Sequence, residues 1–389
     1  MDAKKLLFIF FRPPFPAIGG DKIRMLQNLK LLSKHYNVDV LFLNEEITNE
    51  KVILEIKKYA TNAFSFDLNR KKFYLNTLKG LLLNKNPLQV NYFYHNKVQQ
   101  WINNNIENYD IAFCNTIRTS EYVKNKSIFK IIDYVDAISM NYEKAFKIKK
   151  IGLWKLMYGI DKKRVLKYER EILHSFDKKI IISNIDKDYI LNGKNNIDME
   201  VIPNAVITDD FIERKEKEVI SFIGKMDYEP NQTATIFFVE NVFPIILKEF
   251  PDITFQIVGI NPTKKVKALE KHKNVVITGY VEDINKYISQ SKLVVAPMLS
   301  GAGIQNKILQ SMYFQKCVIT TKLGADGLLG VTENEIIIEN NKAQLAEKII
   351  YYLENDQARI RIGINAKKYV DNTFSQSIVE NKLLSYLEK

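Results

Sequence analysis

The chain is short of the residues that cross-link or ligate. It has two cysteines, four histidines, 15 glycines and 10 prolines in 389 residues. Cys114 and Cys317 each lie in an apolar, strand-like stretch. That excludes a disulfide scaffold and fits a reducing compartment. The histidines and cysteines show no metal-ligand spacing, so no structural zinc is expected. Glycine and proline are too scarce for a fibrous or low-complexity chain. No apolar run approaches the roughly 18 residues of a membrane-spanning helix. The N-terminal run Leu6–Phe11 is short and is followed at once by Arg12-Pro13-Pro14. It makes a poor secretion signal and a good first strand, so a cytosolic protein is expected.

What is present is ordinary for a large globular chain: 46% hydrophobic and 26% charged residues. The length suggests two or three domains, each able to bury its own core. Charge is less ordinary. Fifty-seven Lys and Arg against 45 Asp and Glu leave a net +12. Residues 141–180 hold 12 basic and 5 acidic residues, a net +7. Such a patch can meet nucleic acid, an anionic membrane surface or a phosphorylated substrate, or can be a solvated basic face. Nucleic acid is the weakest of these, because no aromatic-interleaved binding motif accompanies the charge. Residues 144–166 mix Phe146, Trp154, Leu156, Met157 and Ile160 with lysines. Core packing is one reading, and a basic amphipathic helix on an anionic membrane is the other.

Short apolar runs alternate with helical stretches. Strands are predicted at 5–11, 38–43, 62–66, 109–114, 129–134 and 179–183, with helices at 22–34, 48–59 and 97–106. The series restarts with strands at 219–224, 253–258, 274–278, 293–297, 317–320 and 335–338. Helices are predicted there at 232–249, 263–271, 283–290, 304–315 and 342–354, then two more over 356–389. Non-alternating strands between helices read as parallel sheets covered on both faces. Turn residues and a charged run near 192–217 break the series. The expectation is an α/β chain of two doubly wound domains, 1–205 and 206–374. In such folds ligands bind beyond the carboxyl ends of the strands.

Those strand ends carry the candidate chemistry. After the first strand, Gly19-Gly20-Asp21 opens a helix, where backbone amides and the helix dipole can hold a phosphate, or can simply make a turn. After the strand at 219–224 come Gly224 and Lys225. After the strand at 293–297, Gly301-Ala302-Gly303 leads through Ile304, Gln305 and Asn306 into a helix bearing Lys307 and, one turn on, Gln310. Loop amides and the helix start can bind a diphosphate, with Lys307 as counter-charge and Gln310 within reach of a ribose hydroxyl. Lys307 is expected to be exposed and to matter little for folding. In the first half, Asp133 and Asp136 at a strand end can be a base or hydroxyl ligands, or an Asx turn and helix cap. Asn115 and Arg118 follow the strand at 109–114 and, with Ser139, can face a polar acceptor.

Read in order, these segments resemble one family. Gly301-Ala-Gly-Ile-Gln-Asn-Lys-Ile-Leu-Gln-Ser-Met312 is similar to the G-x-G-x-x-x-K-x-x-E-A-M segment of bacterial glycosyltransferases of the group 1, or family 4, kind. Phe222-Ile-Gly-Lys-Met-Asp-Tyr-Glu-Pro-Asn231 resembles a stretch of exopolysaccharide-associated sugar transferases. So do Pro13–Arg24, Asp133-Tyr-Val-Asp136, Val201-Ile-Pro-Asn-Ala205 and Gly279-Tyr-Val-Glu-Asp-Ile284. The resemblance implies a GT-B fold: two Rossmann-like domains facing a cleft, with a last helix, here 375–389, crossing back to the first. It implies a nucleoside-diphosphate-sugar donor, no metal or other cofactor, and retention of anomeric configuration. By position, Gly20 would approach the donor diphosphate and Lys225 and Lys307 would neutralise it. Gln310 would meet the ribose, and Gly303, Ile304 and Gln305 would offer backbone groups to the sugar. Asp136 would serve on the acceptor side. Three positions depart from the pattern: Gln310 and Ala302 stand where glutamates are usual, and Asn231 where a basic residue is.

The resulting expectation is a cytoplasmic glycosyltransferase acting on a bacterial surface glycan or its lipid-linked precursor, with peripheral contact at the inner membrane face. A sugar-nucleotide 2-epimerase and a non-catalytic sugar-nucleotide or glycan-binding protein are the alternatives.

Overall fold

The computed structural model describes residues 3–17, 19–148, 152–194, 196–206, 214–301 and 303–388. Ala302, one of the three departures, lies outside the described residues, as do Ile18 and part of the charged run at 192–217.

The chain divides into two compact units, Met1–Pro203 with Lys382–Lys389, and Asn204–Asn381. In the first, β1 (Lys5–Phe10), β2 (Asn37–Asn44), β3 (Asn62–Asp67), β4 (Ile111–Asn115), β5 (Phe129–Asp133), β6 (Lys178–Ile181) and β7 (Glu200–Val201) form one sheet in the order β3-β2-β1-β4-β5-β6-β7. In the second, β8 (Val219–Ile223), β9 (Thr254–Val258), β10 (Val275–Gly279), β11 (Leu293–Ala296), β12 (Cys317–Thr320) and β13 (Ile337–Ile338) form another, ordered β10-β9-β8-β11-β12-β13. Every pairing in both is parallel. Every residue of β4, β6, β11 and β12 is buried; β4, β11 and β12 accordingly read as short, largely apolar runs, while β6 opens on Lys178 and Lys179. Edge strand β3 is half exposed instead.

All twelve expected strands are present, and β7 is added. At two residues it is too short to leave a pattern. The helix expected over 232–249 is three pieces: Glu229–Phe237, a wide turn at Phe238–Val242, and Phe243–Glu249. Pro244 follows that turn, where its missing N–H breaks the regular ladder. Residues 144–148 and 153–166 belong to two helices, Ile138–Ile148 and Leu153–Glu171. Tyr142 packs edge-on against Tyr158, and the ammoniums of Lys155 and Lys162 sit over the Phe146 ring. Much of this amphipathic pattern is therefore one helix meeting the next. The last helix, Gln376–Glu388, ends in the first unit. There Tyr386 accepts from the Lys179 backbone N–H and Lys382 pairs with Glu200.

One buried ion pair fastens the first unit where its strand order reverses. Arg24, on the helix Gly20–Leu32, meets Asp133 at the end of β5 through Nε at 2.5 Å and Nη2 at 3.0 Å. Both side chains are buried. Asn28 Nδ2 and the Val135 N–H also donate to the same carboxylate, and Arg24 Nη1 reaches the Ile202 carbonyl. Of the two strand-end carboxylates, Asp133 is thus committed to structure. Deleting one member of a buried pair strands the other in a low dielectric, whereas an apolar replacement of both does not. Asp133→Ala is expected to lose about 3–5 kcal/mol, and Arg24→Met/Asp133→Leu to recover most of it. Chemical denaturation of the three proteins checks this.

Candidate functional site

The strand order reverses between β1 and β4 in the first sheet and between β8 and β11 in the second. At such switch points the neighbouring loops diverge and leave a crevice. The candidate residues of each unit collect there.

In the second unit two segments meet through one amide. β8 ends at Ile223, and Gly224–Tyr228 leads into the helix Glu229–Phe237. β11 ends at Ala296, and 297–305 leads into the helix Asn306–Tyr313. Asn231 Nδ2 donates to the Lys225 carbonyl at 3.0 Å, and its Oδ1 accepts from Lys307 Nζ. A Cβ at Gly224 would lie 2.5 Å from Asn231 Nδ2, so no larger residue fits beside this amide. Asn231 was noted in the sequence as a departure; its linking role was not legible, because the partners lie 6 and 76 positions away.

Lys307 is not the exposed residue expected. It is inserted between the segments, its ammonium 3.6 Å from Met298 Sδ and 4.7 Å from the Phe222 ring centroid. Among the described residues none of these partners is a carboxylate. Burial pulls its pKa down to about 7. Asn231, Met298 and Phe222 soften the cost of burying the charge without neutralising it.

The other donor-side candidates surround it. Lys225 is partly exposed and pairs with Asp227 at 3.3 Å. Gly303 has φ +72°, a left-handed conformation that costs glycine little. Ile304 packs its side chain on the core of the unit, and its backbone lies so near Gly327 that a Cβ there would be 2.7 Å from Ile304 Cα. Gln305 precedes the first helical residue and Asn306 accepts from Asn204 at 3.3 Å. Gln310, one turn beyond Lys307, donates to Asn285 Oδ1 at 2.7 Å.

In the first unit, Gly20 starts the helix after β1, beside the Arg12–Asp21 pair. Arg118 lies over the Phe11 ring at 4.5 Å, and its Nε donates to Gln89 at 2.8 Å. Asp136 accepts from Asn141 Nδ2 at 2.8 Å. Burial, with Asp186 adding to it and Arg118 opposing, pushes the Asp136 carboxyl up to about 6. Asn115 and Ser139 are buried inside the unit instead of lining its surface. Both amide atoms of Asn115 lack a hydrogen-bond partner among the described residues. Ser139 bonds Glu169, whose carboxyl is pushed up to about 8 by burial. Sequence reading missed Glu169, which sits 30 positions from Ser139. Thr116 and Val135, at the ends of β4 and β5, have φ of +63° and +66°. Each such residue costs about 1–3 kcal/mol, and strain of this kind gathers at functional sites.

Comparison with known proteins agrees with this geometry. Residues 217–355 match the family described as "Glycosyl transferases group 1". A relative from Klebsiella pneumoniae, described as an uncharacterized 44.6 kDa protein in the cps region, is 23% identical over 389 residues, 96% of this chain and 97% of that one. Among solved structures, S. aureus TarM in complex with Fondaparinux, alpha-GlcNAc-glycerol and UDP superposes with a TM-score of 0.72 at 13% identity, covering 99% of this chain and 100% of that one. Anabaena Alr3699/HepE in complex with UDP-glucose does so at 0.65 and 15%, covering 99% of each. Residues 217–355 of the second unit thus match group 1 glycosyl transferases, and the chain has the GT-B fold of these solved structures.

Proposed function

We propose that the chain transfers a sugar from a nucleoside-diphosphate donor, held at the switch point of the second unit, to a hydroxyl of a bacterial surface glycan or its lipid-linked precursor. The observation that carries this is Lys307: an ammonium taken out of water, met by neutral groups, in the first turn of a helix that follows a glycine loop. An anion is the complement that such a site lacks. The UDP and UDP-glucose of the HepE structures and the cps-region relative support the class of donor and acceptor.

In this reading the diphosphate is the leaving group. Charge builds on it as the glycosidic bond to the donor breaks, and Lys307, Lys225 and the amides near Gly303 hold it more tightly in the transition state than in the ground state. The lysines take the part a divalent metal plays elsewhere, so no resident metal is proposed. Gln310 bonds a ribose hydroxyl, and Asp136, with its raised pKa, accepts the proton of the acceptor hydroxyl. Retention of configuration belongs to the same proposal. Binding without turnover is the second reading. It is favoured by Gln310, already bonded to Asn285 and uncharged where a glutamate is usual. A panel of UDP-, GDP- and TDP-sugars, with CMP-sugars as the monophosphate comparison, separates them: release of the free nucleotide supports transfer, and tight binding with no release supports binding alone.

Lys307→Ala is expected to lower kcat by roughly 10²–10³, the scale for one preorganised donor. Steady-state kinetics, with melts to confirm folding, measure it. The pKa of Lys307 gives two signed consequences. The diphosphate favours the charged form, so donor binding takes up a proton above pH 7 and affinity falls as pH rises from there, a slope absent from Lys307→Met. Without donor, an unfolded lysine keeps its proton up to its ordinary 10.5 while the folded one releases it near 7, so stability rises with pH across that window. Titration calorimetry and thermal melts over this range read both.

Gln310→Glu is expected to tighten donor binding, because a charge-assisted hydrogen bond to a hydroxyl is stronger. A drop in melting temperature with unchanged donor affinity would assign Gln310 to packing against Asn285. Asp136→Asn is expected to abolish turnover's acid limb near pH 6, read from kcat/KM profiles of the two enzymes.

A further inference from the structure

We infer that the helix Arg70–Leu83 and the pocket beside it form a docking face for an anionic lipid bilayer. The helix is fixed on one side. Phe73 is buried, and Gly80 lies so close to Asn91 that an added Cβ would sit 2.1 Å from its Cγ. The opposite side is apolar and open to solvent. Tyr74 is 58% exposed, Leu75 55%, Leu78 57% and Leu81 36%. Spacings of one, four and seven residues put these four on one stripe of a helix. A stripe this apolar at the surface of a soluble unit calls for something to cover it.

Charge selects the bilayer as the occupant. Residues 68–106 contain six basic residues, Arg70, Lys71, Lys72, Lys79, Lys85 and Lys97, and no aspartate or glutamate. All six are exposed. From outside this stretch Glu45 reaches the helix start, where it pairs with Arg70 at 3.1 Å. Leucine and tyrosine in a stripe bordered by lysines are the components of a helix lying in a headgroup layer. Alongside, a pocket of about 430 Å³ is lined by Lys72, Lys79 and Lys97, with Asn84, Asn96 and His95. The His95 ring is buried. Its Nδ1 faces Asn76 Nδ2 at 3.2 Å, and its Nε2 has no hydrogen-bond partner among the described residues. Three ammoniums and a free ring nitrogen suit the phosphate of a lipid headgroup, with Leu75 shared between pocket and stripe.

Co-sedimentation with vesicles tests the proposal. The full chain is expected to bind phosphatidylglycerol/phosphatidylcholine vesicles and to leave pure phosphatidylcholine largely unbound. Lys72→Glu/Lys79→Glu and Leu75→Ser/Leu78→Ser should each weaken partitioning by at least roughly tenfold, with unchanged melting temperatures. Lys163→Glu/Lys167→Glu makes the same charge change at two exposed lysines elsewhere and should alter partitioning by less than about twofold. Failure of the unaltered chain to bind anionic vesicles overturns the proposal. So does an equal loss in the Lys163/Lys167 variant, which would make the effect one of total charge. Displacement by inorganic phosphate beyond a chloride control of equal ionic strength would reassign the lysines to a small-anion site. Retention of an acidic protein partner with no vesicle binding would reassign the face to protein. Vesicle binding is read without donor, so it stands or falls independently of sugar transfer.

Discussion

An ammonium drawn partly out of water needs something in exchange, and Lys307 receives an amide oxygen, a sulfur and a ring face. These groups hold the side chain in one place, yet they leave the charge uncancelled, and its pKa falls accordingly. A carboxylate in the position of Asn231 would neutralise the lysine and spoil it as an anion ligand. A second cation there would repel it. An asparagine does neither. Its oxygen orients Lys307 while its nitrogen secures the Lys225 carbonyl, so one neutral side chain fixes both lysine-bearing segments. What looks in the sequence like the loss of a basic residue is, in the structure, the part that keeps two others in register.

The backbone leaves little freedom to vary this arrangement. In the second sheet β8 and β9 run side by side to Gly224 and Gly259, where a Cβ on Gly259 would lie 1.8 Å from the Gly224 carbonyl oxygen. Only two glycines allow the strand ends to close up so far, and that closeness turns the 224–228 loop toward Asn231. The first unit solves the matching problem with charge. Arg24 and Asp133 close its switch point with a buried pair bonded on every side. The next residues, Tyr134 and Val135, carry Asp136 out of the strand through a left-handed turn. Two carboxylates thus stand three residues apart, separated by burial: Asp133 fully buried and paired with Arg24, Asp136 partly exposed with a raised pKa.

Much of this was legible beforehand because parallel, doubly wound sheets write themselves plainly into a sequence. Strands such as β4 and β11 are buried on both faces, so they appear as short unbroken apolar runs. The loops after β8 and β11 stood out through glycine and lysine at strand ends. What failed was burial of individual polar residues. Asn115 and Ser139 were expected to face an acceptor and are inside, since nothing local distinguishes a polar strand end under a helix from one in solvent. Lys307 was expected outside for the same reason. The contacts that decide these cases come from residues such as Glu169, Met298 and Phe222, which are remote in sequence and carry no motif.

Charge shows a related limit of reading along the chain. Summing charge singled out 141–180, where the excess is largest. Yet its aromatic residues are largely occupied by one another and by its own lysines, as Phe146 is by Lys155 and Lys162. The stretch 68–106 has half as many basic residues, but no acidic ones, and one stripe of its apolar side chains, Tyr74, Leu75, Leu78 and Leu81, is exposed. An anionic surface responds to uncompensated charge at the distance of a few ångströms, because salt screens anything farther than about 10 Å. Six lysines and arginines with no acid in their own stretch, and with Arg70 paired to Glu45 from another part of the chain, set around a leucine stripe, therefore offer such a surface more than twelve that are interleaved with five acids. The quantity that matters is the sign of the charge next to exposed apolar area, and only the folded chain shows where the two coincide.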